Sequence, residues 1–249
     1  RSRPHREAGV SDHMKNPPAL RRPGSGPHIN SDGGNNNRGY EDTGSTDGRT
    51  PTRSVGADGL DSYELTQKVA ELRVALKEMG NAVVCFSGGV DSGYLLAETV
   101  SVLGDNALAL TAVSPSLAPE EGAGARKLAA NIGARHLLID TYELDDPRYA
   151  ANPVNRCYFC KTELYGKAVA EAISLGIDHV LDGFNVDDRG DHRPGRKAAR
   201  ERGVRSPLDE LGFTKADIRE AAWRIGLSVW DKPAMACLSS RFPYGTPIT

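Results

Sequence analysis

The chain has 249 residues, with 31 Lys and Arg against 33 Asp and Glu and a formal net charge of −2. This length allows one large domain or two small ones, and the balanced charge gives no electrostatic reason to expect a nucleic-acid partner. The sequence contains no apolar run near the ~20 residues of a membrane span, and its first residues lack the apolar stretch of a signal peptide. We therefore expect a cytoplasmic protein with neither a membrane nor a nucleic acid as partner.

The first quarter of the chain differs from the rest in composition. Residues 1–60 contain 10 of the 27 glycines and 6 of the 15 prolines, with few large aliphatic side chains. Such a segment cannot bury enough apolar surface to offset the entropy lost on ordering. We therefore predict a disordered leader over residues 1–58. The sequence begins with Arg1, and Met14 is a candidate start.

A helix from Asp61 to Met79 is the first predicted element. Asp61 and Glu64 fit a capping box at its start, and apolar residues recur at helical spacing as far as Met79. Gly80 is typical of the position just after a helix. The run Ala82–Phe86 is apolar and rich in β-branched side chains, which favours a buried parallel strand.

Strands and helices then alternate along the chain. The predicted elements are a helix over 92–103, a strand over 107–113, a helix over 119–132, a strand over 135–139, a helix over 157–175, a strand over 179–181, a helix capped by Thr214 that ends at 225, and an extended segment over 227–230. This alternation predicts an α/β fold with an open, mostly parallel, doubly wound sheet covered on both faces. Ligands of such sheets bind beyond the carboxyl ends of the strands.

The strongest local motif is Ser87-Gly88-Gly89-Val90-Asp91-Ser92, between the first strand and the following helix. Two adjacent glycines let the backbone approach a ligand closely, and the N–H groups at the start of a helix bind anions. The hydroxyls of Ser87 and Ser92 add further donors. A tight turn would need only the glycines, so the other specified positions favour binding of nucleotide phosphates. The motif is neither Gly-x-x-x-x-Gly-Lys nor Gly-x-Gly-x-x-Gly.

This motif resembles the loop of the PP-loop ATP pyrophosphatases, which have the adenine nucleotide alpha hydrolase-like fold. Members of that superfamily split ATP between its α and β phosphates. They hold the pyrophosphate in this loop while AMP activates a substrate oxygen. The resemblance implies ATP and Mg²⁺ as cofactors, with Mg²⁺ neutralising charge on the phosphates.

Four later stretches narrow the resemblance. They are Asn155–Lys161, Asp182–Asp188, Asp191–Gly195 and Lys232–Arg241. In this order they are similar to the ATP-dependent sulfur transferases of the LarE family, which make the nickel-pincer nucleotide cofactor of lactate racemase; the resemblance covers residues 60–249. It implies that ATP adenylates a carboxylate of pyridinium-3,5-biscarboxylic acid mononucleotide and pyrophosphate leaves. Sulfur then replaces the adenylate to give a thiocarboxylate.

The phosphate loop and the resemblance together indicate which residues contact the nucleotide, the metal or the substrate. We expect these contacts from Ser87, Gly88, Gly89, Asp91, Ser92, Asp182, Asn185, Asp188, Arg193 and Arg241. Arg156 and Lys161 are further candidates, since guanidinium and ammonium groups bind phosphates and carboxylates. Each aspartate could instead cap a loop at a strand end, and each basic residue could be a solvated surface charge.

Three of the four cysteines are candidates for sulfur chemistry. Cys157 and Cys160 form a Cys-x-x-Cys pair at a helix start, and Cys237 lies far along the chain. Cys85, inside the first strand, is expected to be a small core residue. Structural zinc sites normally use four ligands, as do most [4Fe–4S] clusters. Three cysteines would leave one iron of a cluster open for a hydrosulfide.

The LarE family divides on this point. Some members have one cysteine equivalent to Cys237 and sacrifice its sulfur, leaving dehydroalanine, whereas others have three cysteines and bind a cluster. Because this sequence has the three-cysteine pattern, the resemblance implies a [4Fe–4S] cluster held by Cys157, Cys160 and Cys237, with Cys237 as the catalytic residue. Zinc, redox thiols and the sacrificial route remain alternatives.

The resemblance also divides the chain. We expect a PP-loop domain over 59–232 and, over 233–249, the start of a C-terminal substrate and sulfur-transfer region that is truncated here, since family members continue further with an Arg-x-Arg motif. Expected partners are the pyridinium mononucleotide, other cofactor-biosynthesis proteins and further copies of the chain in a homo-oligomer. The alternative functions are a PP-loop tRNA thiolase, a PP-loop amidotransferase, and a degenerate nucleotide- or metal-binding module.

Overall fold

Four parallel strands form one sheet in the computed structural model, which describes residues 58–189 and 194–249. The strands are β1 (Ala82–Cys85), β2 (Ala107–Val113), β3 (Arg135–Asp140) and β4 (Val180–Leu181). The helices are α1 (Asp58–Met79), α2 (Val90–Leu103), α3 (Pro119–Ile132), α4 (Pro147–Ala150), α5 (Arg156–Ser174), α6 (Gly195–Glu201), α7 (Pro207–Glu210) and α8 (Lys215–Arg224). Residues 1–57, which contain nearly all of the predicted leader, lie outside the described residues.

The strands lie in the order β3-β2-β1-β4. β1 pairs with β2 along its whole length and with β4 through Val83 and Val84. The chain places β2 and β3 on one side of β1 and then returns to place β4 on the other, so the strand order reverses at β1. In sheets of this kind, ligands bind at that reversal, beyond the carboxyl ends of the strands.

Both faces of the sheet are covered by helices. The side chains of β1 alternate between two apolar clusters, one on each face. Val84 lies in a cluster with residues of α1, α2, α3 and α8, whereas Val83 and Cys85 lie in a cluster with residues of α5 and α6. Full burial of a side chain such as Val or Leu stabilises a fold by about 1.5–3 kcal/mol, so both clusters hold helices against the sheet. The predicted doubly wound α/β fold is confirmed.

Most predicted elements agree with the structure within a few residues, but two predictions are wrong. α1 begins at Asp58, so Asp61 lies inside the helix and cannot cap it. The segment 227–230, predicted to be extended, forms a turn in which the N–H of Trp230 donates to the carbonyl of Leu227 over 3.1 Å. The reason is packing: Leu227 is buried and lies against Gly93 of α2, rather than at the sheet edge.

Helix α8 begins as predicted. The Thr214 hydroxyl accepts a hydrogen bond from the N–H of Asp217 over 3.1 Å, and the Asp217 carboxylate accepts one from the N–H of Thr214 over 2.9 Å, which completes a capping box. Helices α4, α6 and α7 have no counterpart in the sequence prediction, because four to seven residues are too few to show a helical period. None of the described helices is long and apolar enough to cross a membrane.

Candidate active site

A cavity of about 610 Å³ lies beyond the ends of β1 and β4, at the reversal of strand order. Its walls come from the loops after β1, β2 and β4, the starts of α3 and α8, helix α5 and the segment 232–241. The predicted site residues that line it are Ser87, Gly89, Asp91, Ser92, Asp182, Asn185, Asp188, Cys237 and Arg241. The fold therefore brings together residues that lie as far apart in the sequence as 87 and 241.

The phosphate loop is held in shape by its own serines. The N–H of Ser87 donates to the Ser92 hydroxyl over 3.2 Å, and the two hydroxyl oxygens are 3.1 Å apart. Gly88 has a φ of +76°, and a Cβ there would lie 3.0 Å from Ala125, so both conformation and space require glycine. No side chain caps the following helix, α2, at Gly89. The N–H groups of its first turn are therefore available to an anion.

The loop after β4 packs directly against the phosphate loop. A Cβ at Gly183 would lie 2.8 Å from the backbone nitrogen of Ser92, so only glycine permits this approach. The sequence prediction included Gly183 in a motif but gave it no role. A glycine at the end of one strand, facing the helix start after the neighbouring strand, is the signal that could have identified this contact.

The carboxylate of Asp91, which lines the cavity, is only partly hydrogen-bonded. One oxygen accepts a hydrogen bond from the Lys215 ammonium over 2.5 Å, while Oδ1 is buried with no hydrogen-bond partner among the described residues. Burial raises the pKa of Asp91, and the hydrogen bond from Lys215 opposes that rise. A buried carboxylate oxygen without a partner is what a hard cation would satisfy, so the site fits Mg²⁺. Such an ion commonly takes one or two carboxylates and its other ligands from phosphates and water.

Two lysines beside the phosphate loop were not among the predicted contacts. Lys215 opens α8 and pairs with Asp91, whereas the ammonium of Lys232 donates to the carbonyl of Gly88 over 3.3 Å and to Glu121 over 2.8 Å. Both side chains line the cavity. Their positions place two positive charges next to the anion site at the start of α2. Two features of the sequence could have identified them: Lys215 follows the Thr214 cap of α8, and Lys232 is the first residue of the 232–241 motif.

Asp182, Asn185 and Asp188 line the cavity, but most of their known contacts hold the loop after β4. The buried Asp182 carboxylate accepts hydrogen bonds from the hydroxyls of Tyr165 (2.8 Å) and Ser206 (2.6 Å), and burial raises its pKa. The Asn185 side chain accepts from the N–H of Asp187 over 3.0 Å. The Asp188 carboxylate accepts from the N–H of Asn185 over 3.2 Å. These contacts are those of residues that cap a loop at a strand end.

The basic candidates occupy different environments. Arg241 is exposed, lines the cavity and forms no ion pair with the described residues. Lys161 also lines the cavity, and its ammonium lies 5.5 Å from the centre of the Tyr165 ring. Arg156 is buried away from the cavity lining. Arg193 lies outside the described residues.

Only two of the four cysteines line the cavity, Cys85 and Cys237. Cys85 is buried at the end of β1, which raises the pKa of its thiol to about 12. Cys237 is exposed, with its Sγ 3.2 Å from the Ser240 hydroxyl oxygen. Cys157 is exposed, and Cys160 is half-buried near the start of α5.

Cys157 and Cys237 both affect the pKa of the Cys160 thiol. Burial raises the pKa of Cys160 to about 12, and the charges of Cys157 and Cys237 add to that rise. Nevertheless, the described residues contain no group of three or more His, Cys, Asp or Glu side chains placed to hold a metal ion. The three thiols therefore suit an iron–sulfur cluster in ligand type but not in their present spacing, and the cluster stays a prediction.

Two curated relatives cover most of the described residues. An uncharacterized protein, slr1717, of Synechocystis sp. is 51% identical over 185 residues, which are 74% of this chain and 69% of that protein. The pyridinium-3,5-bisthiocarboxylic acid mononucleotide synthase of Lactiplantibacillus plantarum is 40% identical over 186 residues, which are 74% of this chain and 67% of that protein. No protein-family model matches the chain.

Solved structures with low sequence identity share the fold. An NH3-dependent NAD synthetase from Campylobacter jejuni matches with a TM-score of 0.53 and 15% identity, over 69% of this chain and 77% of that one. The U34-tRNA thiolase NcsA from Methanococcus maripaludis, solved with its [4Fe-4S] cluster, matches with a TM-score of 0.51 and 18% identity, over 73% and 70%. These similarities establish the PP-loop fold that the phosphate-loop motif predicts.

Proposed function

The chain belongs to the LarE family, and from this premise we propose that it is an ATP-dependent sulfur transferase. Its substrate would be pyridinium-3,5-biscarboxylic acid mononucleotide, in which a carboxylate becomes a thiocarboxylate. The observation that carries the proposal is that the phosphate loop and Cys237 line one cavity. A carboxylate activated at the loop would therefore be within the same cavity as the residue assigned to sulfur transfer.

The first proposed step activates the carboxylate. A carboxylate oxygen of the substrate attacks the α-phosphorus of ATP, and pyrophosphate leaves with the electron pair of the broken P–O bond. The α2 N-terminus binds the phosphates, and Lys215 and Lys232 offset the negative charge that builds on the leaving group. Asp91 would hold Mg²⁺, which supplies further neutralisation of phosphate charge when bound.

The second proposed step transfers sulfur to the activated carbon. A sulfur nucleophile attacks the acyl carbon, and AMP leaves with the electron pair of the C–O bond. If Cys237 supplies its own sulfur, the first product is a thioester. Loss of the Cys237 Cα proton and cleavage of its Cβ–Sγ bond then release the thiocarboxylate and leave dehydroalanine.

Two further features concern the sulfur: the three cysteines and the segment over residues 233–249. The three-cysteine pattern supports a [4Fe–4S] cluster as the sulfur source, with Cys157, Cys160 and Cys237 as its ligands. The positions of Cys237 and Arg241 in the cavity wall support a sulfur-transfer region over residues 233–249, following a PP-loop domain over 59–232.

Exchange of radiolabelled pyrophosphate into ATP tests the activation step. We expect exchange with the biscarboxylic pyridinium mononucleotide and none when the substrate is omitted or replaced by tRNA. Nicotinic acid mononucleotide, which has one ring carboxylate, serves as the matched control for substrate choice. Exchange that depends on tRNA, or tight ATP binding without any exchange, would contradict the proposal and favour a thiolase or a binding module.

Metal and sulfide analysis under anaerobic conditions separates the two sulfur sources. A cubane cluster predicts brown protein with about four iron and four sulfide per chain. The sacrificial route predicts colourless protein in which the Cys237 peptide loses the mass of H₂S after one turnover. Retention of an intact Cys237 in colourless, active protein would contradict both routes.

A further inference from the structure

Asn152 holds the chain that follows Cys237. It is fully buried with a φ of +53°, and its side-chain amide donates to the carbonyls of Pro243 and Thr246, each over 2.9 Å. Its own backbone carbonyl accepts a hydrogen bond from the N–H of Gly245 over 2.9 Å. Its burial, its left-handed backbone and its contacts to a distant segment make Asn152 a specific joint between two segments of the chain.

Arg156 strengthens the same joint from the first residue of α5. Its guanidinium donates to Asn152 Oδ1 over 2.5 Å and lies over the Tyr244 ring, 5.1 Å from its centre. The side chain is buried, forms no ion pair with the described residues, and has a buried Nε with no hydrogen-bond partner among them. Burial of an incompletely satisfied cation costs free energy. Its retained contacts join α5 to the segment that follows Cys237.

A second set of contacts holds the loop nearer to Cys237. The Tyr149 hydroxyl lies 2.7 Å from the Ser239 hydroxyl oxygen and 3.0 Å from that of Ser116. The two serine oxygens are also 3.0 Å apart, and the N–H of Leu238 donates to the carbonyl of Ser116 over 3.0 Å. All three hydroxyl-bearing residues are buried. This polar trio therefore fixes the position two residues after Cys237.

We propose that the segment Tyr149–Arg156, the clamp segment, positions Cys237 relative to Cys157 and Cys160. It bonds to the chain after Cys237 at two places and leads directly into the helix that carries the other two thiols. Asn152, Arg156 and Tyr149 are positioning residues, since none of them lines the cavity. The inference rests on the proposed function, for which the relative placement of the three thiols matters.

Thiol crosslinking tests this placement without ATP, substrate or metal. Apo protein is treated with bismaleimidoethane, and peptide mass spectrometry measures the crosslinks of Cys237 to Cys160 or Cys157. The Cys157–Cys160 crosslink lies within α5 and serves as the internal reference. Asn152→Gly tolerates the left-handed backbone while removing the side-chain donors. Tyr149→Phe removes one hydroxyl without changing the size of the ring.

We expect both substitutions to lower the ratio of Cys237 crosslinks to the reference by about tenfold, which corresponds to ~1.4 kcal/mol. Tyr94→Phe, which removes the hydroxyl of another buried tyrosine of the core, should leave the ratio unchanged. Substrate-dependent ATP–pyrophosphate exchange should stay within about twofold of the wild type in all three variants.

An unchanged ratio in Tyr149→Phe would overturn the proposal, as would wild-type protein that forms no Cys237 crosslink to α5. If Asn152→Gly does not fold, as judged by circular dichroism, the Tyr149→Phe result decides. Loss of exchange in step with the crosslinks would also overturn it, because the clamp segment would then act on the whole site. Failure of the proposed function is a separate result: the ratio would fall as expected, but wild-type protein would show no substrate-dependent exchange.

Discussion

The phosphate loop and the cysteine-bearing segments meet around one cavity but are built in different ways. The loop motif consists of six consecutive residues that lead from the end of β1 into the first turn of α2, and its shape follows from glycine, two serines and a helix start. Cys157 and Cys160 lie on α5, whereas Cys237 lies on a later loop that distant polar contacts hold in place. The proposed phosphate site therefore depends on locally determined structure, whereas the position of Cys237 depends on long-range contacts. Damage to the two regions should therefore be separable in experiments.

The largest effect is expected at the phosphate loop. Asp91→Asn removes the charge that pairs with Lys215, and it replaces one of the two carboxylate oxygens by an amide NH₂, which cannot bind Mg²⁺. We expect exchange to fall by roughly 10²–10³-fold, as when a preorganised electrostatic group is removed. Asp105→Asn, an exposed aspartate near the other end of α2, is the control and should retain wild-type exchange. An equal loss in both variants would show that helix charge, rather than the site, was responsible.

A smaller effect is expected where the loop after β4 touches the phosphate loop. Gly183→Ala would push a Cβ into the backbone of Ser92, and overpacking of this kind costs about 1–3 kcal/mol. Gly124→Ala, in α3 with open space around it, should instead stabilise the protein by about 0.5–1 kcal/mol. Urea denaturation measures both changes. Tolerance of Gly183→Ala would mean that the two loops are not in direct contact.

The Asp91–Lys215 pair should also determine how exchange depends on pH. Burial raises the pKa of Asp91 and Lys215 lowers it, so Lys215→Met should raise the pKa further. The acid limb of exchange should then move to higher pH, by about one unit for each ~1.4 kcal/mol of lost interaction. Lys68→Met, which removes a lysine paired with Asp217 outside the cavity, should leave the limb in place. An unmoved limb in Lys215→Met would contradict the role of the pair.

The same pair has a consequence for stability. The pKa of Asp91 is higher in the native state than in the unfolded state. Asp91 therefore binds its proton more tightly in the native state. Its favourable contribution is therefore complete below the unfolded pKa and is lost as the pH rises through the native pKa. The stability lost at neutral pH through ionisation of Asp91 should be larger in Lys215→Met than in the wild type.

The smallest effect is a difference in the free energy of unfolding between a variant of the buried cysteine and a variant of the exposed one. Cys85→Ser places a hydroxyl at a buried strand end and should destabilise the fold by about 1 kcal/mol or more. Cys237→Ser, at an exposed position, should change the free energy of unfolding by no more than about 0.5 kcal/mol. Urea denaturation of both variants at one pH checks this. Equal losses would mean that Cys237 contributes to the core.

The sequence predicts the parts of the molecule that depend on neighbouring residues. Hydrophobic period identifies the strands and the long helices, and Thr214 identifies the start of α8. The short helices α4, α6 and α7 escape prediction because they are shorter than the window in which a period shows. The segment 227–230 was misjudged, since packing of Leu227 against α2 outweighs its local preference.

The site shows the same division between features that depend on neighbouring residues and features that depend on distant ones. The phosphate loop is a contiguous motif, so its residues and its place at the end of β1 were predicted together. Lys215 and Lys232 were missed because their role depends on contacts with Asp91, Glu121 and Gly88, which are distant in sequence. Asn152 was missed for the same reason. Nothing in its local sequence indicates that its amide bonds to residues 243 and 246.

The central claim is that one cavity carries two separable steps, with activation at the phosphate loop and sulfur transfer at Cys237. Cys237→Ala, assayed in parallel for substrate-dependent ATP–pyrophosphate exchange and for thiocarboxylate formation by mass spectrometry, tests it most directly. We predict exchange within about twofold of the wild type and no thiocarboxylate. If the variant remains folded but loses both the exchange and the formation of thiocarboxylate, the claim is contradicted.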